Sequence, residues 1–326
     1  MMKFSKTESI QHILLFVVGY ATLYTCHNNV QAFSNANISC RAPSVAAAAI
    51  RRRISSVYPS WSLDMSLLSS KSFEPFTQVI SDVDDTLKSS GGVKIGDIAL
   101  GGIDVQYERG DMYPGVFQFM LELSLPSVVT LQEKQEEEEA APKLYPPKVA
   151  VLTARAEEFK IALELKENSK LAVAFRKTGE KMGYDNWGLG PVLYGSVAEW
   201  VIQDRKGLRK FSNFERLLEQ DPTGRIMQYI YVGDTGELDQ EAGETMLREY
   251  PEVVKAVFLH VVSERPFPRI PPPKLINGRP VVFFRTYVGA AAKACQLGLI
   301  DEDAMMRVAT TAEDALATVS KTSDKW

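Results

Sequence analysis

The stretch Val79-Ile80-Ser81-Asp82-Val83-Asp84-Asp85-Thr86 constrains this chain more than any other. A mostly apolar run, Phe76 to Ile80, leads into it. Three carboxylates then arrive within four residues, and Gly91 and Gly92 follow. A β-branched apolar run that ends in polar residues and glycines predicts a buried strand delivering side chains to its C-terminal edge. In open α/β sheets that edge is where ligands bind. Three acids packed there are costly unless a cation or strong hydrogen-bond donors compensate them. The stretch therefore asks for a divalent metal, and hard oxygen ligands point to Mg²⁺.

The rest of the chain supplies the elements of an α/β domain, expected over residues 73–318. Thr86 to Gly110 is Gly-rich with short apolar pieces and predicts a small hairpin or flap over the site. Pro114 suits the first turn of a helix from Gly115 to Leu125. Strands are expected at Lys148–Leu152, Ile226–Val232 and Val253–Val262, and helices at Glu157–Lys170, Gly207–Glu219 and Asp239–Glu249. Gly183 to Tyr194 reads as irregular. Pro271-Pro272-Pro273 marks an extended connection, and residues 286–318 predict two closing helices. Alternating strands and helices imply a parallel, doubly wound α/β sheet with a flap after the first strand and C-terminal helices. Residues 132–142 hold Glu133, Glu136, Glu137, Glu138 and Glu139; like charges in a row repel, so this is a solvated loop insertion.

Four motifs recur in an order that resembles the haloacid dehalogenase superfamily of phosphatases. They are Asp82-Val83-Asp84-Asp85-Thr86 after a strand, Leu152-Thr153-Ala154-Arg155 ending a strand, a Lys at a helix start, and Gly233-Asp234-Thr235-Gly236-Glu237-Leu238-Asp239. Tyr113-Pro114-Gly115 and Thr153-Ala154-Arg155 make the chain similar to the phosphatidate-phosphatase branch associated with actin patches. That branch often continues with Pro where Ala156 stands here.

The resemblance implies a Rossmann-like domain and a role for each residue. Asp82 is the nucleophile that becomes an aspartyl phosphate. Asp84, two residues on, projects to the same side of an extended strand end and is the acid and base. Thr153 holds the transferring phosphoryl group. Arg155 is either a second phosphate clamp or a surface ion pair. The motif lysine is Lys210, ahead of Phe214, with Lys206 in reserve. Mg²⁺ is held by Asp82, Asp234 and the backbone carbonyl of Asp84; Asp239 ligates it, orients its water, or caps a helix. Asp85 has a backbone-bonding or flap role, Thr86 caps the turn, and His260 is a satisfied structural residue.

Other chemistries fit less well. An EF-hand counted from Asp82 places Leu87 where the loop needs Gly. Diterpene cyclases that carry Asp-x-Asp-Asp are longer and helical. A non-catalytic adaptor of the same fold would lack the nucleophile or the acid, and both Asp82 and Asp84 are present.

Charge and cysteine content bound the partners. Residues 1–60 carry six Lys/Arg and one Glu, leaving 31 basic and 40 acidic residues beyond them, a net of −9. This argues against nucleic acid. The expected substrate is a phosphorylated lipid or a small phosphomonoester; a lipid would require peripheral membrane contact without a transmembrane span in the mature chain. No basic amphipathic helix offers such contact. Of Cys26, Cys40 and Cys295, the last lies in an Ala-rich helical pattern and is expected in the core.

Residues 1–32 read as a signal peptide: Lys3 and Lys6, then an apolar run from Ile13 to Tyr24, then Val30-Gln31-Ala32. From Phe33 to Leu63 there is no Asp or Glu, and Arg41, Arg51, Arg52 and Arg53 lie among Ser and Ala. This 33–63 segment is transit-peptide-like. The pair, joined at Ala32-Phe33, resembles the bipartite leader of algae with secondary plastids; simple secretion is the alternative.

Overall fold

Phe76–Ser81 forms β1, and its neighbouring side chains enter opposite cores: Val79 one, Ile80 the other. A strand buried on both faces belongs at the centre of a parallel sheet, which is why it reads as an almost continuous apolar run. The computed structural model describes residues 76–95, 98–99, 102–125, 145–156, 165, 167–195, 206–221, 226–236, 238–265 and 267–317. The leader readings, the acidic insertion and most of the helix expected at Glu157–Lys170 lie outside these residues.

The described elements follow in order as β1, β2 (Lys94–Ile95), β3 (Ile98–Ala99), α1 (Val116–Ser124), β4 (Val149–Ala156), α2 (Lys170–Lys181) and β5 (Leu189–Gly195). Then come α3 (Lys206–Glu219), β6 (Ile226–Asp234), α4 (Asp239–Glu249), β7 (Val254–His260), β8 (Lys274–Ile276), β9 (Arg279–Phe284), α5 (Tyr287–Gln296) and α6 (Glu302–Ala317). Seven strands form one sheet in the order β5-β4-β1-β6-β7-β9-β8, parallel except for the antiparallel edge strand β8. Helices α1, α2, α5 and α6 supply the core on one face; α3 and α4 supply it on the other. The expected doubly wound α/β architecture is present, and β2 with β3 forms a small antiparallel flap after the first strand.

The order reverses direction at β1. The chain winds outward through β4 and β5 on one side and through β6, β7 and β9 on the other. The crevice between the ends of β1 and β6 is the topological switch point, where such sheets bind ligands.

Several expectations are corrected. Gly183–Tyr194 is not irregular throughout: Leu189–Gly195 is β5. It is an edge strand, the one place in a sheet where Pro191 is tolerated. Helix α2 is not among the helices the sequence pattern predicts. Its buried stripe is only Leu171, Ala172, Phe175 and Gly179, so tertiary packing decides it, with Trp187 edge-on to Phe175 at 5.6 Å and Ser169 capping the Ala172 amide. Strand β9 is likewise not predicted by the sequence pattern. It is the second arm of a hairpin turned by Asn277-Gly278, both at positive φ, the pairing a two-residue hairpin loop favours. Strands β4 and β6 run on through Thr153 and Asp234, beyond their expected ends. Pro114 precedes the N-cap Gly115 of α1 and does not sit inside the first turn. Cys295 is half-buried against the core rather than within it.

Candidate active site

Asp82 stands one residue past β1. Its amide donates to the Val232 carbonyl at 3.0 Å, extending the β1–β6 ladder and fixing Asp82 beside the end of β6. There β6 delivers Asp234, and α4 opens with Asp239. Carboxylate oxygens of Asp82, Asp234 and Asp239 all lie within 4.8 Å of one another, and all three residues are buried.

Local geometry explains how three acids come so close. Asp239 is the first residue of α4, after Leu238 in a left-handed conformation. Its Oδ2 accepts from the Asp234 amide at 3.2 Å. Asp239 is thus a helical residue tied back to the strand end, and not the helix N-cap. The fit needs Gly233: a Cβ there would stand 2.6 Å from Asp239 Oδ2. Asp234 Oδ1 accepts from the Gly236 amide.

The compensating cation comes from α3. Lys210, Asn213, Phe214 and Leu217 form the buried stripe of that helix, at the spacing that gathers side chains on one helical face. Asn213 donates to the Leu193 and Tyr194 carbonyls of β5, holding the helix on the sheet. The Lys210 ammonium lies 3.0 Å from Asp82 Oδ1 and also bonds Asp239. Lys206 opens the same helix, and its side chain is outside the described residues.

Three carboxylates and one ammonium leave a formal charge of −2 in a buried pocket. Nothing in a dry interior tolerates that charge without a counter-ion. The donor set is oxygen only, hard and closely spaced, so the cluster fits a divalent ion of the Mg²⁺ class.

The other expected residues are placed as follows. Thr153 is buried in β4, two residues beyond Val151, which pairs with Ser81 next to Asp82. Arg155 belongs to β4, and its side chain is outside the described residues. Asp84 is half-buried in a tight turn in which the Leu87 and Lys88 amides both donate to the Val83 carbonyl. Its carboxylate is not among the three that cluster.

Asp85 has a distinct job. With φ at 57° it turns its carboxylate away from the cluster and into the flap. There it accepts from the amides of Ser90 at 2.7 Å, Ile103 at 2.6 Å and Asp104 at 2.8 Å. Gly102 lies so close that a Cβ would overlap the Asp85 carboxylate. Burial still raises the Asp85 carboxyl above its ordinary value, against the pull of those amides. The Thr86 hydroxyl is buried and makes no hydrogen bond among the described residues, so the cap expected of it is not made there.

Side chains from distant parts of the chain hold this turn from behind. Tyr287 donates its hydroxyl to the Thr86 carbonyl at 2.6 Å. His260 presents Nδ1 to the Asp85 carbonyl at 2.6 Å and Nε2 to the Arg285 carbonyl at 3.1 Å. Arg285 pairs with the buried Asp104 of the flap at 2.9 Å, and Tyr113 donates to the same carboxylate at 2.9 Å. These partners lie 9 to 201 residues apart in sequence. Of these, the sequence singles out Tyr113, through its Tyr-Pro-Gly motif, and His260, expected to be a structural residue; Asp104, Arg285 and Tyr287 carry no local signal.

No family model, curated protein or solved structure matches this chain.

Proposed function

We propose that the chain is a Mg²⁺-dependent phosphatase of the haloacid dehalogenase type, acting through an aspartyl phosphate on Asp82. The observation that supports it most is Lys210 held between Asp82 and Asp239 at the switch point, with Asp234 beside them. Phosphoryl transfer needs an oxygen nucleophile, an acid for the leaving group and fixed positive charge around the phosphoryl oxygens.

In the first half-reaction a carboxylate oxygen of Asp82 attacks phosphorus and the bond to the leaving oxygen breaks. Asp84, half-buried at the turn, gives its proton to that oxygen. Lys210, 3.0 Å from Asp82, offsets charge on the nucleophile and on the phosphoryl group. Thr153 hydrogen-bonds the group in transit. In the second half-reaction Asp84 takes a proton from water, the water oxygen bonds to phosphorus, and the acyl phosphate opens to restore Asp82. Asp82 and Asp234, with Asp239 in support, would hold Mg²⁺, which would supply the remaining positive charge.

The proposed substrate is phosphatidate or a related phospholipid, following the Tyr113-Pro114-Gly115 and Thr153-Ala154-Arg155 motifs. Plastid delivery by the leader over residues 1–63 is proposed with it. The test is a phosphate-release panel with Mg²⁺: phosphatidate in micelles beside soluble sugar and nucleotide phosphates, each run with the Asp82→Asn variant. Release from phosphatidate that Asp82→Asn abolishes supports the reading. Release that persists in the variant, or none from any phosphomonoester, overturns it.

A further inference from the structure

The C-terminal edge of the sheet carries a second feature that phosphoryl chemistry does not use. After β7 the chain runs from Val261 to Pro273 before β8 begins. The base of this loop is built into the site wall. The Val262 amide donates to Thr235 Oγ1 at 3.1 Å, one residue from Asp234, and the Ser263 carbonyl accepts from Val105 of the flap at 3.3 Å. Beyond Ser263 the sequence is Glu264-Arg265-Pro266-Phe267-Pro268-Arg269-Ile270-Pro271-Pro272-Pro273.

Phe267 is 97% exposed, the most exposed large apolar residue described. Its φ is 57°, a region that bulky residues rarely occupy and that a following proline disfavours further. A strained backbone that holds an aromatic ring in water gains nothing in the isolated chain and points to a function elsewhere. Ile270 is also exposed, at 45%, and Val105 of the flap, at 44%, is hydrogen-bonded to the base of the loop. Arg265 and Arg269 flank Phe267 and are exposed; among the described residues neither is in a salt bridge. This short segment is locally basic in a domain that is otherwise net acidic.

An exposed aromatic between two arginines fits the boundary of an anionic bilayer. The ring enters the acyl margin and the guanidinium groups meet lipid phosphates. A proline-rich ligand is the competing fit, because Arg265, Pro268 and Pro271 have its spacing. That mode needs a continuous polyproline II helix with φ near −75°, and the conformation of Phe267 interrupts it. We propose that residues 264–271 are a membrane-docking loop, seating Phe267 in an anionic bilayer and bringing the switch-point crevice to the lipid surface. The proposal rests on the lipid-phosphatase reading for its purpose, and not for its geometry.

The test places Trp at position 267 of the full chain. It compares quenching by vesicles with brominated acyl chains, made of phosphatidylcholine alone or with phosphatidylglycerol. The unsubstituted chain gives the baseline for the native tryptophans. Extra quenching at Phe267→Trp on the anionic vesicles is expected. R265E/R269E is expected to weaken vesicle binding roughly tenfold or more, with thermal midpoint and turnover of a soluble aryl phosphate unchanged. No extra quenching, equal binding by R265E/R269E, or capture by a polyproline-binding domain without quenching would each overturn it. The two readings separate cleanly. Docking without phosphatidate release removes the substrate assignment and leaves the surface. Phosphatidate release that R265E/R269E does not slow, with no quenching, removes the surface and leaves the enzyme.

Discussion

The ammonium nitrogen of Lys210 stands 3.0 Å from Asp82 Oδ1, and both side chains are buried. This pair joins α3 to the end of β1 across the switch point, so its loss is both structural and chemical. Lys210→Met leaves Asp82 and Asp239 charged and uncompensated, a class of change that costs about 3–5 kcal/mol. The variant is expected to unfold at markedly lower denaturant and to release no phosphate. Adding Asp239→Asn to it removes one of the two stranded charges and should recover part of the stability. A Lys210→Met protein as stable as the parent would show that the buried pair does not hold the fold in this way.

Metal dependence follows from the charge of −2 on the cluster. Mg²⁺ should raise the thermal midpoint relative to EDTA, because an ion that binds only the folded state stabilises it by mass action. Asp234→Asn should abolish that rise while leaving the apo midpoint the same or higher, since it removes one of three crowded carboxylates. Phosphate release should vanish in EDTA and return with Mg²⁺. Ca²⁺, with its larger and looser shell, should restore little of it. An equal midpoint with Mg²⁺ and with EDTA would count against a metal at this site.

The flap is expected to depend on Asp85. Each buried amide left without an acceptor costs about 1–3 kcal/mol, and Asp85→Ala strands those of Ser90, Ile103 and Asp104. Hydrogen exchange at these three amides should speed up, and proteolysis between residues 88 and 104 should follow. Gly102→Ala should do the same by a different route, since its Cβ overlaps the Asp85 carboxylate. Exchange that is unchanged in both variants would remove the clamp.

How much of this was visible beforehand depends on the range of each cause. The acids at Asp82 and Asp84 stood out because a strand end is a local pattern, while Asp234, Asp239 and Lys210 ahead of Phe214 were picked out by the order of motifs that resembles the phosphatase superfamily. The bounds Asp239–Glu249 match the expected helix because apolar spacing and an acidic first turn both lie within eleven residues. What stayed hidden was decided at a distance. Strand β5 is a strand because β4 offers it an edge, in spite of Gly190 and Pro191. The partners of Asp85 and Thr86 come from flap, β7 and α5, and no spacing rule connects Tyr287 to Thr86. The loop at Phe267 read only as a proline-rich connection, because exposure is a property of the folded surface.

His260 gives a pH signature. Burial holds its imidazole below the ordinary value, against the two carbonyls that would favour the charged form. The unfolded chain therefore takes up this proton at higher pH than the folded one. The stability it contributes is complete above about pH 6.5 and is lost as pH falls through the folded value, by at most about 1.4 kcal/mol per pH unit. Chemical denaturation at pH 7.5 and 5.5 should show a larger loss for the parent than for His260→Gln. Equal losses would mean that His260 titrates alike in both states.

The two leading aspartates can be separated by their dependence on the leaving group. Asp82→Asn removes the proposed nucleophile, and a loss on the order of 10³–10⁶-fold is expected by comparison with other covalent catalysts, with no phosphoenzyme formed. Asp84→Asn keeps the shape of the turn but cannot exchange a proton, and a positioned acid or base is worth about 10²–10⁴-fold. An aryl phosphate departs as a stable phenolate and scarcely needs that proton, whereas an alkyl phosphate does. Asp84→Asn should therefore still form the aspartyl phosphate from an aryl ester and then hydrolyse it slowly, so that the intermediate accumulates and can be trapped. With phosphatidate or a sugar phosphate it should stall before the first transfer. A phosphoenzyme trapped in Asp82→Asn would move the nucleophile to another residue. Equal losses for Asp84→Asn on aryl and alkyl esters would mean that Asp84 is not the proton donor.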